Sequence, residues 1–183
     1  MVSLLANIGI MFFAVYFYLR SSFGSPNQGN ETIAYFIKSI LLEVLVGIVL
    51  LSFSTVILGI RYDFRSLMFC FSAKYLDWKI TSPTILLLGI LRFVWGNNDI
   101  AQSNLIISIL LAVTLPLLVR YIEHRLNELP QLLVLVTYAL LPTVVLTNHM
   151  IADKSLVLLI STILFTSGYA APFVMHFFIT DLY

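Results

Sequence analysis

Long apolar segments alternate with short polar ones along most of this chain. A helix needs about 20 apolar residues to cross a bilayer. The pattern predicts six such helices: Val2–Leu19, Ile33–Leu58, Ser82–Trp95, Leu105–Val119, Leu132–Thr147 and Ser155–Phe178. The third is short, and we allow it to start near Ile80. Residues 1–183 therefore read as one domain, an all-α bundle of about six transmembrane helices.

One segment, Gly59 to Ile80, departs from this pattern. It contains six charged residues: Arg61, Asp63, Arg65, Lys74, Asp77 and Lys79. The apolar part in its middle, Ser66 to Ala73, has only eight residues. Three structures fit such a stretch, namely an interfacial helix, a re-entrant segment, or the middle of a short tilted span. If it crosses the membrane, the N-terminus lies outside.

The composition agrees with an integral membrane protein in the lipid bilayer. The chain is 60% hydrophobic and 10% charged, with a mean hydropathy of +1.00. Soluble domains have about 25% charged residues, so this chain has too little charge to cover a surface in water. Its net charge of +1 offers no basic surface for nucleic acid. The apolar N-terminus lacks a basic region and a cleavage site, so we expect a retained span.

Lysine and arginine positions indicate an orientation, because cytoplasmic loops carry an excess of these residues. Six spans place both termini on the same side as Arg61–Lys79 and Arg120–Pro130. These two segments hold six basic residues, against three near the opposite loops. We therefore expect both termini in the cytoplasm.

Ionisable residues inside apolar segments are candidates for function, because charge at membrane depth is costly unless it is paired or hydrated. Glu43 lies in the second segment, Arg92 near the end of the third, and His176 late in the last. Each also has a simpler interpretation. Glu43 can hydrogen-bond a neighbouring helix, while Arg92 and His176 can reach the interface. The functional interpretation is that Arg92 pairs with Glu43 or Asp63 and holds the bundle in one of two states.

Proline and glycine in the spans predict bends and close contacts. Pro116, Pro142 and Pro172 kink their helices, or act as hinges, because proline removes a helical hydrogen bond. Gly47, Gly89 and Gly168 allow neighbouring helices to approach closely.

The chain shows no motif of a soluble enzyme. There is no Gly-rich phosphate loop, no HExxH and no paired-cysteine spacing, so we assign no catalytic residue, metal or cofactor. The single cysteine, Cys70, is expected to be a small buried apolar residue. His124 is expected to be a solvated loop histidine. The chain itself is not expected to be an enzyme.

Two short motifs resemble those of a known family. They are "RYDFRS", Arg61 to Ser66, and "ILRFVWG", Ile90 to Gly96. The pattern resembles the LytS-type five-transmembrane receptor domain, which has D-x-R after an early span and an arginine followed by glycine after the next. Asp63 and Arg65 match the first motif, and Arg92 with Gly96 matches the second. The resemblance covers roughly residues 30 to 180, and it departs at "KYLDWK", where many relatives are Gly-rich.

The resemblance implies a sensory input domain of the bacterial cytoplasmic membrane. In such proteins a cytoplasmic output module follows, either a GGDEF diguanylate cyclase, which we favour, or a histidine kinase. It also implies a homodimer and a small-molecule or cell-envelope ligand. The candidate switch or ligand residues are Asp63, Arg65, Arg92, Glu43 and Arg61. The family is distantly similar to the substrate-binding components of vitamin transporters, which are six-helix bundles.

Other interpretations remain open at this point. The basic residues between Arg61 and Lys79 are also typical of topology signals on a cytoplasmic loop. The whole chain can be a substrate-binding component of a vitamin-type uptake transporter, or a structural membrane subunit without a ligand.

Overall fold

The computed structural model describes residues 33–57, 60–95 and 99–182, together with Gly9, Ile10 and Phe13. Within this part the fold is helical, with one short β-hairpin. The helices are α1 Ile33–Ser52, α2 Arg65–Tyr75, α3 Trp78–Leu91, α4 Asp99–Ile122, α5 Glu128–Met150 and α6 Lys154–Leu182, and the strands are β1 Thr55–Ile57 and β2 Ile60–Tyr62. The predicted span Val2–Leu19 lies outside the described residues, apart from the three named above.

Four of the described helices are long and apolar enough to cross a membrane, which agrees with an all-α membrane protein. They are α1, α4, α5 and the Lys154–Val174 part of α6. The helix at the third predicted span, α3, has 14 residues. At 1.5 Å per residue it is about 21 Å long, shorter than the roughly 30 Å hydrocarbon core of a bilayer.

Helix α1 ends earlier than the hydropathy pattern predicts. It stops at Ser52 rather than Leu58, because residues 55–57 form a strand. Thr55, Val56 and Ile57 are β-branched and favour extended structure. They pair antiparallel with β2, with Val56 opposite Arg61. Apolar strands and apolar helices have the same hydropathy, which explains the error.

The hairpin and helix α2 overturn the predicted placement of charge. The Tyr62 hydroxyl hydrogen-bonds Thr147 near the end of α5 (3.1 Å). At the other end of α2, the Lys74 ammonium group donates to Gln131 near the start of α5. Arg61 and Lys79 therefore lie at opposite ends of the bundle, and the prediction that residues 61–79 form a loop on one side is wrong.

We call these two ends the hairpin end and the lysine end. The hairpin end contains β1, β2, the end of α3 and the turn 151–153. The lysine end contains the C-terminus of α2, the start of α3 and the turn 123–127. Basic residues at the hairpin end are Arg61, Arg65, Arg92 and Lys154, and those nearer the lysine end are Lys38, Lys74, Lys79, Arg120 and Arg125. Arg20 lies outside the described residues. With four basic residues at the hairpin end and five nearer the lysine end, the basic residues do not favour one orientation in the membrane.

Helix α2 lies in the middle of the bundle. All seven residues from Leu67 to Ala73 are buried, and the helix contacts α1, α3, α4 and α5. An interfacial helix would leave one face exposed, so that interpretation of Ser66 to Ala73 is wrong. The 11 residues of α2 span about 16 Å. A helix this short is tolerated because protein surrounds it on every side.

Small residues bring the helices together, as predicted. A Cβ on Gly47 would overlap the Leu88 side chain, and one on Gly89 would lie 2.8 Å from Ser108 Cβ. Gly168 approaches Leu140 in the same way. These contacts hold α1 against α3, α3 against α4, and α5 against α6.

A neighbouring helix replaces the backbone hydrogen bond that Pro116 removes from α4. Proline has no N–H, so the carbonyl four residues earlier, that of Ala112, loses its helical partner. The Ser82 hydroxyl of α3 donates a hydrogen bond of 2.6 Å to this carbonyl. The contact couples α3 to α4 at the point where proline would otherwise leave a buried acceptor unpaired.

Candidate functional site

Four charged side chains lie near one another at the hairpin end, and we call them the arginine cluster: Arg61, Asp63, Arg65 and Arg92. Strand β2 carries Arg61, α2 begins at Arg65, and Arg92 follows the last residue of α3. Arg92 is buried, at 4% exposure, and the side chains of Arg65 and Asp63 are 13% and 7% exposed. Strand β2 and helices α2 and α3 thus place the motif around Asp63 and Arg65 near the motif that contains Arg92.

Asp63 and Arg65 form a close ion pair. Asp63 Oδ1 accepts from Arg65 Nε at 2.8 Å and from the Arg65 backbone N–H at 3.1 Å. The second bond satisfies one of the N–H groups that the first turn of a helix leaves without a partner. Asp63 therefore starts α2 and neutralises its first residue. Arg61 Nη1 donates to the Ser54 hydroxyl at 3.3 Å.

The arginine cluster has more positive than negative charge. Arg92 lies within electrostatic range of Arg65, Arg61 and Asp63. In the described part of the chain, Asp63 is the one carboxylate that forms an ion pair with any of these arginines within 4 Å. The cluster thus combines three guanidinium groups with one carboxylate, an arrangement that repels itself and attracts an anionic group.

The predicted pairs of Arg92 are not formed as close contacts. Asp63 makes its ion pair with Arg65, although it is near enough to act on Arg92 electrostatically. Glu43 lies beside the hydroxyls of Ser72 and Thr84, and Thr84 precedes Arg92 by eight residues. Glu43 is therefore a separate polar site, and its pairing with Arg92 was a wrong prediction.

A second polar network lies at the lysine end. Lys74 of α2 donates to Gln131 Oε1, and Gln131 Nε2 donates to the backbone oxygens of Glu123 (3.0 Å) and Leu126 (2.6 Å). Gln131 is 6% exposed. It joins α2 to two backbone carbonyl groups of the turn 123–127, which follows α4.

The same network reaches the last helix. The Tyr75 hydroxyl of α2 donates to Glu128 Oε1 at 2.7 Å, and Glu128 Oε2 lies 3.7 Å from His176 Nδ1 on α6. Helix α2 therefore contacts the arginine cluster at its first residue, and its last residues contact a network that includes the C-terminal part of α6. Tyr75, Glu128 and Gln131 were not predicted from the sequence, because single polar residues at helix ends carry no motif.

A cavity of about 800 Å³ opens between α3 and α4 on the lysine side. Its polar wall includes Lys74, Asp77, Arg120 and Glu123, and the rest is mainly aliphatic, with Pro116 beside it. Among the described residues no group of three or more His, Cys, Asp and Glu can hold a metal ion. Cys70 is buried, as expected, and His124 is exposed in its turn.

No protein-family model, curated protein or solved structure matches this chain. The likeness to the LytS-type receptor domain thus stays a prediction that rests on Asp63, Arg65 and Arg92.

Proposed function

We propose that the chain is a membrane-embedded sensory input domain. It receives a signal at the arginine cluster and transmits it through α2 to the C-terminal end of α6. A cytoplasmic module then responds, a diguanylate cyclase by preference and a histidine kinase otherwise. The proposed location is the bacterial cytoplasmic membrane, where the chain works as a homodimer and crosses in about six passes.

The observation that carries this proposal is the position of helix α2. It is buried on all sides, it pairs Arg65 with Asp63 at one end, and it contacts Gln131 and Glu128 at the other. Protein interiors are closely packed, so a shift of a buried helix displaces its neighbours. Glu128 lies next to His176, so such a shift reaches α6.

The charge of the cluster favours an anionic ligand. A carboxylate or phosphate group would relieve the repulsion among the three arginines, because guanidinium groups bind such anions through paired N–H donors. A ligand shifts a conformational equilibrium only if it binds one state better than the other. Here the preferred state is the one that holds the three guanidinium groups closest together.

The direct test measures output from the full-length protein in proteoliposomes. Asp63→Asn and Arg65→Gln are compared with the wild type, with cyclic dinucleotide synthesis or autophosphorylation as the readout. Asp99→Asn, an exposed acid at the same end, is the matched control. The proposal expects a several-fold change for the cluster variants and none for the control. Unchanged output in correctly inserted variants would make the charges topology signals.

The second candidate function is a substrate-binding component of a vitamin-type uptake transporter. The cavity of about 800 Å³ between α3 and α4 favours it, because ligand pockets occupy about 300–1,000 Å³. The reading frame beyond Tyr183 separates the two proposals. Continuation into a cyclase or kinase module supports the sensor, whereas a stop codon beside ATPase genes supports the transporter.

A further inference from the structure

A buried carboxyl group lies between α1, α2 and α3. Glu43 on α1 is 6% exposed, and its carboxyl group lies beside the hydroxyls of Ser72 on α2 and Thr84 on α3. Ser72 also shares a hydrogen bond of 2.7 Å with Thr81. Eight residues separate Thr84 from Arg92, a rise of about 12 Å along a helix. This oxygen-rich site is therefore distinct from the arginine cluster.

Two oxygen atoms of the site form no hydrogen bond of ordinary geometry in the part of the chain that the structure describes. They are Glu43 Oε2 and Thr84 Oγ1, and Thr84 is 1% exposed. Buried polar atoms are nearly always paired in folded proteins, and an unpaired one calls for an explanation such as an ion. Both atoms belong to side chains at the same three-helix junction.

The charge of Glu43 is also unbalanced. Among the described residues, no Lys, Arg or His side chain comes within 4 Å of its carboxyl group. The groups beside it on α2 and α3 are hydroxyls, and the ammonium group of Lys79 lies over the Phe36 ring at 5.3 Å, about two turns away. An isolated carboxylate is strongly disfavoured in a protein interior. It is stable there once it takes up one positive charge.

We propose that Glu43, Ser72, Thr81 and Thr84 bind a single monovalent cation, supplied as a proton or as Na⁺. One carboxylate cancels one positive charge, whereas a divalent ion would leave an excess charge in the interior. All four side chains offer oxygen atoms, the ligands that hard cations prefer. The proposal is independent of the sensory function, because neither the arginine cluster nor an output module takes part.

The packing around the site makes the bound cation a link between helices. One turn beyond Glu43, Gly47 packs tightly against Leu88 of α3 and closes the site toward the hairpin end. Phe36 and Lys79 meet on the opposite side. The cation therefore joins α1 to α2 and α3, and its loss leaves the carboxylate unpaired at their junction. Occupancy is expected to stabilise the packing of α1.

The test is thermal unfolding of the purified chain in lipid nanodiscs, at fixed pH and ionic strength, as NaCl replaces choline chloride. For bound Na⁺, the wild-type Tm rises by about 3–5 °C per tenfold increase in Na⁺ above half-saturation. Glu43→Gln abolishes this rise, and Thr84→Val shifts it to several-fold higher Na⁺. Asp99→Asn, which changes an exposed carboxylate, behaves as the wild type.

A pH titration of the same variants distinguishes a bound proton from a bound Na⁺. If Na⁺ has no effect but the Tm shows a pH-dependent step that Glu43→Gln removes, the bound cation is a proton. Identical Na⁺ and pH responses in the wild type and Glu43→Gln overturn the proposal. If Glu43→Gln does not fold, Thr84→Val decides, because it keeps the carboxylate. Na⁺ and pH responses unchanged by Thr84→Val then overturn the site.

Discussion

Asp63 accepts two hydrogen bonds from Arg65, one from the side chain and one from the backbone. This contact both begins helix α2 and balances one of the three arginines at the hairpin end. A residue that starts a buried helix and balances one charge of the cluster links the local conformation to the electrostatics of the site. Its replacement should therefore affect stability and signalling together.

Asp63→Asn is expected to destabilise the protein more than Arg65→Gln does. The first change leaves three arginines without a carboxylate, whereas the second leaves Asp63 within electrostatic range of Arg92. Breaking a fully buried ion pair costs about 3–5 kcal/mol. This pair is slightly exposed, so we expect about 2–3 kcal/mol for Asp63→Asn. Equilibrium unfolding measures both, and the opposite order would show that charge balance does not control the cluster.

Arg92→Gln should partly rescue Asp63→Asn, because it removes one of the repelling guanidinium groups. The double variant is expected to regain about 1 kcal/mol relative to additivity. Lys154→Gln is the matched control, since it removes an exposed cation at the same end of the bundle. Equal rescue by both would mean that only net charge matters.

Ser82→Ala is expected to destabilise the contact between α3 and α4. It removes the donor to the Ala112 carbonyl that Pro116 leaves without a helical partner, and an unpaired buried acceptor costs about 1–3 kcal/mol. In a Pro116→Ala background the loss should fall by about 1 kcal/mol or more, because the new N–H bonds Ala112 within the helix. A double-mutant cycle of unfolding free energies measures this coupling. An additive cycle would contradict the assignment.

Gly89→Ala is expected to force α3 away from α4. The added Cβ would lie 2.8 Å from Ser108 Cβ, and overpacking of this kind costs about 1–3 kcal/mol. Ser108→Gly should restore stability in the double variant, whereas Ser108→Ala should not, because it keeps the Cβ. Thermal unfolding of the three variants tests the contact, and equal rescue by both partners would place the strain elsewhere.

The turn before α6 should make a pH-dependent contribution to stability. Asp153 Oδ1 accepts from the Ser155 hydroxyl (2.7 Å) and the Ser155 N–H (2.9 Å). These bonds hold the pKa of Asp153 below its ordinary value of 3.8. A lowered carboxyl pKa stabilises the fold above the unfolded pKa, and this stability is lost as the pH falls through the folded value.

Ser155→Ala removes the largest cause of that shift. The loss of Tm that it causes should be greatest above about pH 5 and should shrink below about pH 3. Scanning calorimetry across this range measures it, with Ser161→Ala on the same helix as a control. A loss that grows on acidification would contradict the pKa argument.

Much of the fold could be predicted from hydropathy, because segments of 20 or more apolar residues have few alternatives. The helices α1, α4, α5 and α6 were found in this way. Helix α2 was not identified as a central element, because a helix surrounded by protein needs neither length nor an amphipathic pattern. The β-hairpin was missed because its apolar residues continue the hydropathy of α1.

The site was predictable only in part. Asp63, Arg65 and Arg92 were singled out as unusual charges, and the structure brings them together. Their pairing was not predictable, because it depends on which elements the turn between α2 and α3 places side by side. Glu43 was a candidate because it lies inside an apolar segment. Its neighbours Ser72 and Thr84 could not be predicted, because a single hydroxyl residue in an apolar helix carries no sequence signal.

The most direct measurement of the central claim is the distance between spin labels at the lysine end when the arginine cluster is altered. Labels are placed on cysteines at the exposed positions Asn127 and Phe173, with buried Cys70 replaced by alanine. Asp63→Asn is compared with wild type and Asp99→Asn in nanodiscs. The account predicts a shifted distance distribution for Asp63→Asn alone, because α2 joins the two ends. Identical distributions for all three proteins would contradict transmission through α2.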